Sequence, residues 1–238
     1  MTGDPGGHPS MKLKLAAGAL LTAACTHHVY SPPTQAYTLT PVTTLAPHAK
    51  ALDVEASSHS QIFNPGVGAA TARFRTGLRD EVEVSAEAMV ASVANVVFYT
   101  GRAALRLNPR RGAVSFNTGI GGGYAAKGGE FLALDAGVTL GYDNCYLVPV
   151  ASASAFVSQP IDARPIDVSL DSHPTYATAQ RTAGSVVRVG LRVSLSPQRC
   201  RSGKEVPWIT AGFDQTTVVD ATDHGLLFGI GVGVSVPL

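Results

Sequence analysis

The scarcest thing in this 238-residue chain is charge. Asp, Glu, Lys and Arg make up 15% of the residues, against roughly 25% in an average soluble domain. The 18 basic and 17 acidic side chains nearly cancel, leaving a formal net charge of +1. That balance leaves no basic excess to track a phosphate backbone, which argues against nucleic acid as a partner. Long apolar runs are missing as well: beyond the leader no stretch approaches the about 18 apolar residues that a membrane-spanning helix needs. Nor does any segment past residue 50 carry the 3.6-residue apolar period of an amphipathic helix. Yet 45% of the residues are hydrophobic and 25 are glycine. Disorder by charge is thereby excluded, and any membrane contact has to use strands. At roughly 100 to 200 residues per domain, one large domain is the economical organisation.

The amino terminus supplies an address. Met11, Lys12 and Lys14 form a basic head, and Leu15 to Ala24 an apolar stretch too short to span as a helix, the pattern of a secretory leader. Met1 to Ser10, with Asp4, Pro5 and Pro9, makes poor leader sequence, so translation is expected to begin at Met11. The run Leu21-Thr22-Ala23-Ala24-Cys25 resembles the lipobox of bacterial lipoproteins. That resemblance implies that residues 1–24 are removed and that the Cys25 thiol carries a diacylglycerol. It also implies a palmitate-type acyl group on the new amino terminus and, with Thr26 following rather than Asp, delivery to the outer membrane. Residues 25–49 hold Pro32, Pro33, Pro41, Pro47 and many threonines without apolar periodicity, and are expected to be an extended tether. His27 and His28 have no further ligands beside them, so no metal site is expected there.

From residue 50 onward the period is two, that of a strand with one apolar and one polar face. Phe228, Ile230, Val232, Val234, Val236 and Leu238 alternate with Gly229, Gly231, Gly233 and Ser235. Val187 to Leu195, Val82 to Val90 and Leu132 to Tyr142 repeat the pattern. Ten strands are expected, at 50–60, 68–78, 80–92, 102–108, 111–122, 130–142, 145–157, 184–195, 207–218 and 225–237. The fold class is all-β, an antiparallel up-and-down barrel over residues 50–238. Connections at 78–80, 108–111 and 143–144 read as tight, while 61–67, 93–101, 125–129 and 158–184 read as longer, with 196–206 the exception. Short turns at one end and long loops at the other are the asymmetry of outer-membrane barrels, whose short turns and, for an even strand number, both termini face the periplasm.

The stretch Gly77-Leu78-Arg79-Asp80-Glu81-Val82-Glu83-Val84 resembles the hairpin of small bacterial outer-membrane β-barrel proteins, and the last strand, with Gly233, Val236 and Leu238, resembles their assembly signal. The resemblance implies outer-membrane lipid and the barrel assembly machinery as partners, no cofactor, and no particular activity. Aromatic side chains are expected at two interfaces, Tyr142, Tyr146 and Trp208 at one and Phe98, Tyr99, Tyr124, Phe131, Phe156 and Phe228 at the other. A lipid-anchored, lipocalin-like barrel with its apolar face inward is the competing architecture.

Turned inward, Asp53, Glu55, Glu81, Glu83, Glu87, Asp135 and Asp214 would meet Arg73, Arg75, Arg106, Arg188 and Arg192. Facing lipid, an Arg or Lys at the midplane costs about 2 to 4 kcal/mol, so these charges belong in the lumen. There they either line a narrow channel or plug it, and a ten-stranded lumen is narrow enough to favour the plug. Glu55, Ser57 and His59 put a carboxylate, a hydroxyl and an imidazole on one strand face, which is the sole candidate for catalysis, of the outer-membrane lipid deacylase or esterase kind. Face neighbours about 7 Å apart are a poor catalytic unit, and the expectation is a non-enzyme. Gly119, Gly121, Gly122 and Gly123 are not followed by a helix, so they read as close-packed strand residues and not as a dinucleotide site. His224 beside Asp223 is expected in a solvated outer loop. Cys145 and Cys200 are left to pair as a disulfide in an oxidising compartment. The longest loop, with Asp162, Arg164, Asp167, His173 and Tyr176, is the expected place for any extracellular partner. The function that follows is a structural or surface-interaction role, ahead of a narrow channel, a lipid-anchored ligand binder and an enzyme.

Overall fold

The computed structural model describes Leu39 and residues 41–60, 67–93, 96–109, 112–126, 128–142, 144, 146–167, 176–178, 180–196, 206–219 and 224–238. Cys25, Cys145, Cys200 and His173 lie outside the described residues, as do Met11, His27 and His28. The strands are β1 Lys50–Ser60, β2 Val67–Arg79, β3 Val82–Val93, β4 Val96–Leu107, β5 Val114–Ala125, β6 Gly129–Gly141, β7 Leu147–Ala163, β8 Pro165–Asp167, β9 Tyr176–Thr178, β10 Thr182–Ser194, β11 Trp208–Val219 and β12 His224–Pro237. Ten of them form a closed barrel in the order β1-β12-β11-β10-β7-β6-β5-β4-β3-β2, and β8 and β9 make a separate two-stranded hairpin. Every neighbouring pair in the barrel is antiparallel. The seam pairs Ala51 with Pro237 and runs to Ser60 opposite Phe228, so the first and last strands share an end, here called the near end. Among the described residues no helix is long and apolar enough to cross a membrane.

The alternation fixes which way each side chain points. Outward positions carry Leu134, Ile230 and Phe213, exposed by 60%, 57% and 66%. Their inward neighbours include Asp135, Gly229 and Asp214. Among the described residues, charged side chains on the outer surface of the barrel are confined to strand ends, Lys50 and Arg79 at the near rim and Glu130 and Asp162 at the far rim. An apolar belt of this kind suits hydrocarbon, and the inverted, soluble arrangement is overturned by it. At about 3.3 Å per residue and a tilt of about 40°, nine or ten residues of each strand cover a belt roughly 25 Å tall.

Several boundaries differ from the sequence expectation. Val93 to Gly101 is not a long loop: β4 begins at Val96 and only 94–95 separate it from β3. Residues 158–163 continue β7, and β10 starts at Thr182, so the expected long loop is reduced to a connection that carries β8 and β9. Connections at the near end (80–81, 108–113, 142–146, 195–207) and the far end (61–66, 94–95, 126–128, 164–181, 220–223) are both mixtures of short and long. Loop length alone therefore does not orient the barrel. His224 opens β12 at the far rim and is exposed. Of the expected aromatic girdles, Tyr99, Tyr124, Phe228, Tyr142 and Tyr146 face outward, whereas Phe98, Phe131, Phe156 and Trp208 are buried in the lumen.

Candidate functional site: a filled lumen

Inward side chains of the middle layer are ordered by register. Asp53 lies opposite Arg73, Arg73 opposite Glu87, and Glu87 opposite Arg102, so charge alternates strand by strand from β1 to β4. The contacts follow that order: Arg73 Nη1 to Asp53 at 3.8 Å, Arg73 Nε to Glu87 at 2.9 Å, and Arg102 Nη1 to Glu87 at 2.8 Å. Below this row Arg75 joins Asp53 at 2.7 Å to Glu83 at 3.2 Å, and Glu83 also holds Arg106 at 3.0 Å. Glu81, expected to face inward, is instead exposed in the turn after β2.

Two of the ion pairs skip a strand. Arg102 on β4 clamps Asp135 on β6 with its Nε and Nη2, both at 2.6 Å. His59 on β1 meets Asp214 on β11, Nε2 to Oδ2 at 2.7 Å. Strands lie about 4.8 Å apart, so such a contact has to cross the face of the strand between. In both cases that strand offers glycine. A Cβ at Gly119 would stand 2.4 Å from Arg102 Nε, and one at Gly229 would stand 2.1 Å from His59 Nε2. Gly119 and Gly121 of β5 are thus a bed for Arg102, Gly122 and Gly123 lie against Leu132 and Phe131, and close packing is the correct account of the run.

Nearer the far end the lumen turns apolar. Met89, Ala91, Val96, Phe98 and Ala125 form one buried cluster with Ala69, and Phe156, Val186 and Val218 another, with Phe131 and Leu227 also buried. At the near end, Val148, Val150, Val206 and Trp208 pack together, with the Arg192 guanidinium 4.9 Å from the Trp208 ring centre.

The near half is also occupied by the chain itself. Leu39, Val42, Thr44 and Leu45, assigned by composition to the tether, are buried inside the barrel. The segment descends beside β2, with a parallel bridge from Pro47 to Gly77, and reverses at the near rim. The reversal is a turn in which Ala49 N donates to Ala46 O at 3.0 Å, with Pro47 second and His48 third at φ 64°. Proline there and a positive φ next are the requirements of a type II turn. Leu39 N donates to Glu55 Oε2 at 3.3 Å and Leu45 N to Glu83 Oε2 at 3.0 Å. Asn108 Nδ2 donates to Val42 O at 2.5 Å, and the Thr44 hydroxyl to Asp80 O at 2.6 Å. Two cavities beside Leu39 are each about 10 Å³, room for at most a single water.

The sequence-predicted catalytic trio is therefore brought to one inward face but not to one another. Glu55 serves Leu39, His59 is fully buried against Asp214, and Ser57 lies between them facing the lumen. At the far rim, Asp162 and Arg164 form an exposed ion pair, Arg164 Nη2 to Asp162 Oδ2 at 2.6 Å, while Arg164 N donates to Gly128 O at 2.9 Å. Asp167 pairs with Tyr176 in the β8–β9 hairpin. Sequence reasoning missed Arg102, Asn108 and the apolar triplet Leu39, Val42 and Leu45.

No family model and no curated protein matches this chain. Among solved structures it is similar to Neisserial surface protein A (11% identity, 79% of this chain and 95% of that one, TM-score 0.34). It is also similar to the N-terminal β-barrel domain of Pseudomonas aeruginosa OprF (13%, 80% and 99%, 0.36) and to the β domain of the Bordetella autotransporter BrkA (11%, 79% and 98%, 0.40). Likenesses this remote carry no argument about role, and the architecture stands on the strand pairing itself.

Proposed function

We propose that the chain is a sealed β-barrel of the bacterial outer membrane, lipid-anchored through Cys25, with a structural or surface-interaction role. The observation that carries this reading is the filling of the lumen at three successive levels: apolar side chains, paired charges, and the segment from Leu39 to Ala49. A conduit needs a continuous aqueous path, and a ten-stranded wall encloses little more room than the eight-stranded one whose side chains already fill it. The apolar outer face supports residence in a bilayer, and a closed barrel is the one strand architecture that leaves no backbone edge in lipid. The leader and the run ending in Cys25 support the outer membrane and the anchor. An enzymatic role is disfavoured because Glu55, Ser57 and His59 face a filled lumen, with Glu55 accepting from Leu39 N and His59 fully buried against Asp214.

The far-rim extension of β7, with Asp162 and Arg164 in the open, is the surface offered to an extracellular partner. The deciding experiment is planar-bilayer recording of the detergent-refolded full chain. Silence at all voltages is expected, and steady unitary conductance would overturn the sealed reading. Intact mass of membrane-extracted protein tests the anchor, with acyl and diacylglycerol mass expected on Cys25.

A further inference from the structure

Leu39 and residues 41–49 meet the barrel wall as a ligand meets a receptor. Their backbone is addressed from three separate places: Glu55 on β1 accepts from Leu39 N, Glu83 on β3 accepts from Leu45 N, and Asn108 after β4 donates to Val42 O. Their side chains enter where the wall is bare. A Cβ at Gly190 or Gly212 would stand 2.2 or 2.6 Å from Leu39 Cδ1, and one at Gly141 would stand 3.1 Å from Val42 Cγ1. Apolar residues recur every third position, at 39, 42 and 45, the spacing that an extended three-residue-per-turn backbone puts on one side. Barrel strands are held by hydrogen-bond ladders on both edges, whereas this segment has one isolated bridge, at Pro47. Beyond it, toward the far end, lies the buried apolar layer of Met89, Phe98, Phe131, Phe156 and Val218.

We infer that the near half of the lumen is a binding site for an extended apolar peptide, filled in cis by this segment, and that displacing the segment opens that half to water while the far half stays shut. The inference holds whether or not Cys25 carries lipid. Its elements are two carboxylates that accept peptide N–H groups, one carboxamide that donates to a peptide carbonyl, and glycine-floored hollows for a Leu and a Val.

The test uses the full chain folded in detergent, with a single reporter cysteine in each of two places. Thr210→Cys stands beside Leu39 in the near half, and Thr216→Cys is buried in the far half. Peptide mapping separates adducts at these sites from those at Cys25, Cys145 and Cys200. With the natural segment both reporters should react slowly with a small water-soluble thiol reagent. Combining Val42→Asp with Leu45→Asp should raise the Thr210→Cys rate about tenfold or more and leave Thr216→Cys unreactive. A synthetic peptide of residues 39–49 should then restore protection, and a shuffled peptide should not. Heat-modifiable gel migration reports that each variant has closed; should the aspartate pair prevent closure, Leu39→Ala gives the same measurement in milder form. Unchanged labelling in the displaced variants, joint labelling of both reporters, or failure of the natural peptide to protect would each overturn the inference.

Discussion

In the far half of the lumen, Met89, Phe98, Phe131, Phe156 and Val218 pack as side chains do in the core of a soluble protein. In the middle, Asp53, Arg73, Glu87, Arg102 and Asp135 fill the same cross-section with charge. The two fillings differ in what they demand. An apolar layer needs volume, and it tolerates exchanges that keep volume. A belt of buried ions needs each partner, because losing one leaves another uncompensated in a poorly solvated place. Glycine serves both fillings: Gly119 and Gly229 lie under the reach of Arg102 and His59, where a partner is two strands away, and Gly123 and Gly184 make room for the rings of Phe131 and Phe156.

The sharpest way to break this contrast is Arg102→Ala, which strands Asp135 and leaves Glu87 to Arg73 alone. It should cost about 4 to 5 kcal/mol, measured as a fall in the urea midpoint of the refolded protein. Replacing Arg102 and Asp135 together by Met and Asn, which leaves Glu87 paired with Arg73, should recover most of that loss; a double variant as weak as the single one would mean that the belt does more than balance itself. Phe156→Ala comes next, at about 3 kcal/mol for the cavity it leaves in the far layer, while Phe156→Leu should stay below about 1.5 kcal/mol. Asn108→Ala removes the donor to Val42 O in the lumen segment and should cost about 1 to 2 kcal/mol, read by faster amide exchange in residues 42–46. On the outer face, Thr217→Ala touches neither filling and should move the midpoint by no more than about 0.5 kcal/mol.

The same contrast decides what could be read in the sequence. Where the lumen is charged, alternation is clean, and β1 runs from 50 to 60 as expected from Leu52, Val54 and their acidic neighbours. Where the lumen is apolar, both faces are greasy and the period vanishes. Val96-Val97-Phe98-Tyr99 reads as a featureless run, so the start of β4 was invisible. Arg102 opens the visible part of that strand, and its importance was written one and two strands away, in the glycines of β5 and in Asp135 of β6. The charges on β1 to β3 and on β10 and β11 were legible because each sits in an unbroken alternation. The segment from Leu39 to Ala49 was hidden by composition: proline and threonine describe a solvated tether and a buried extended peptide equally well. The one signal it carried was the three-residue spacing of Leu39, Val42 and Leu45.

The seam between β1 and β12, completed where Leu238 N donates to Lys50 O at 3.0 Å, sets an order of arrival. Pairing the first strand with the last is the most distant strand pairing in the barrel, so its closure entropy is met late. By then the hollows at Gly190 and Gly212, on β10 and β11, have to find Leu39, which precedes every strand. The oldest part of the chain is thus enclosed by the youngest. A barrel that zips shut with its leading segment outside would have every strand in register and still be an open cup, so correct folding of this chain includes a threading decision that the strand pattern does not record.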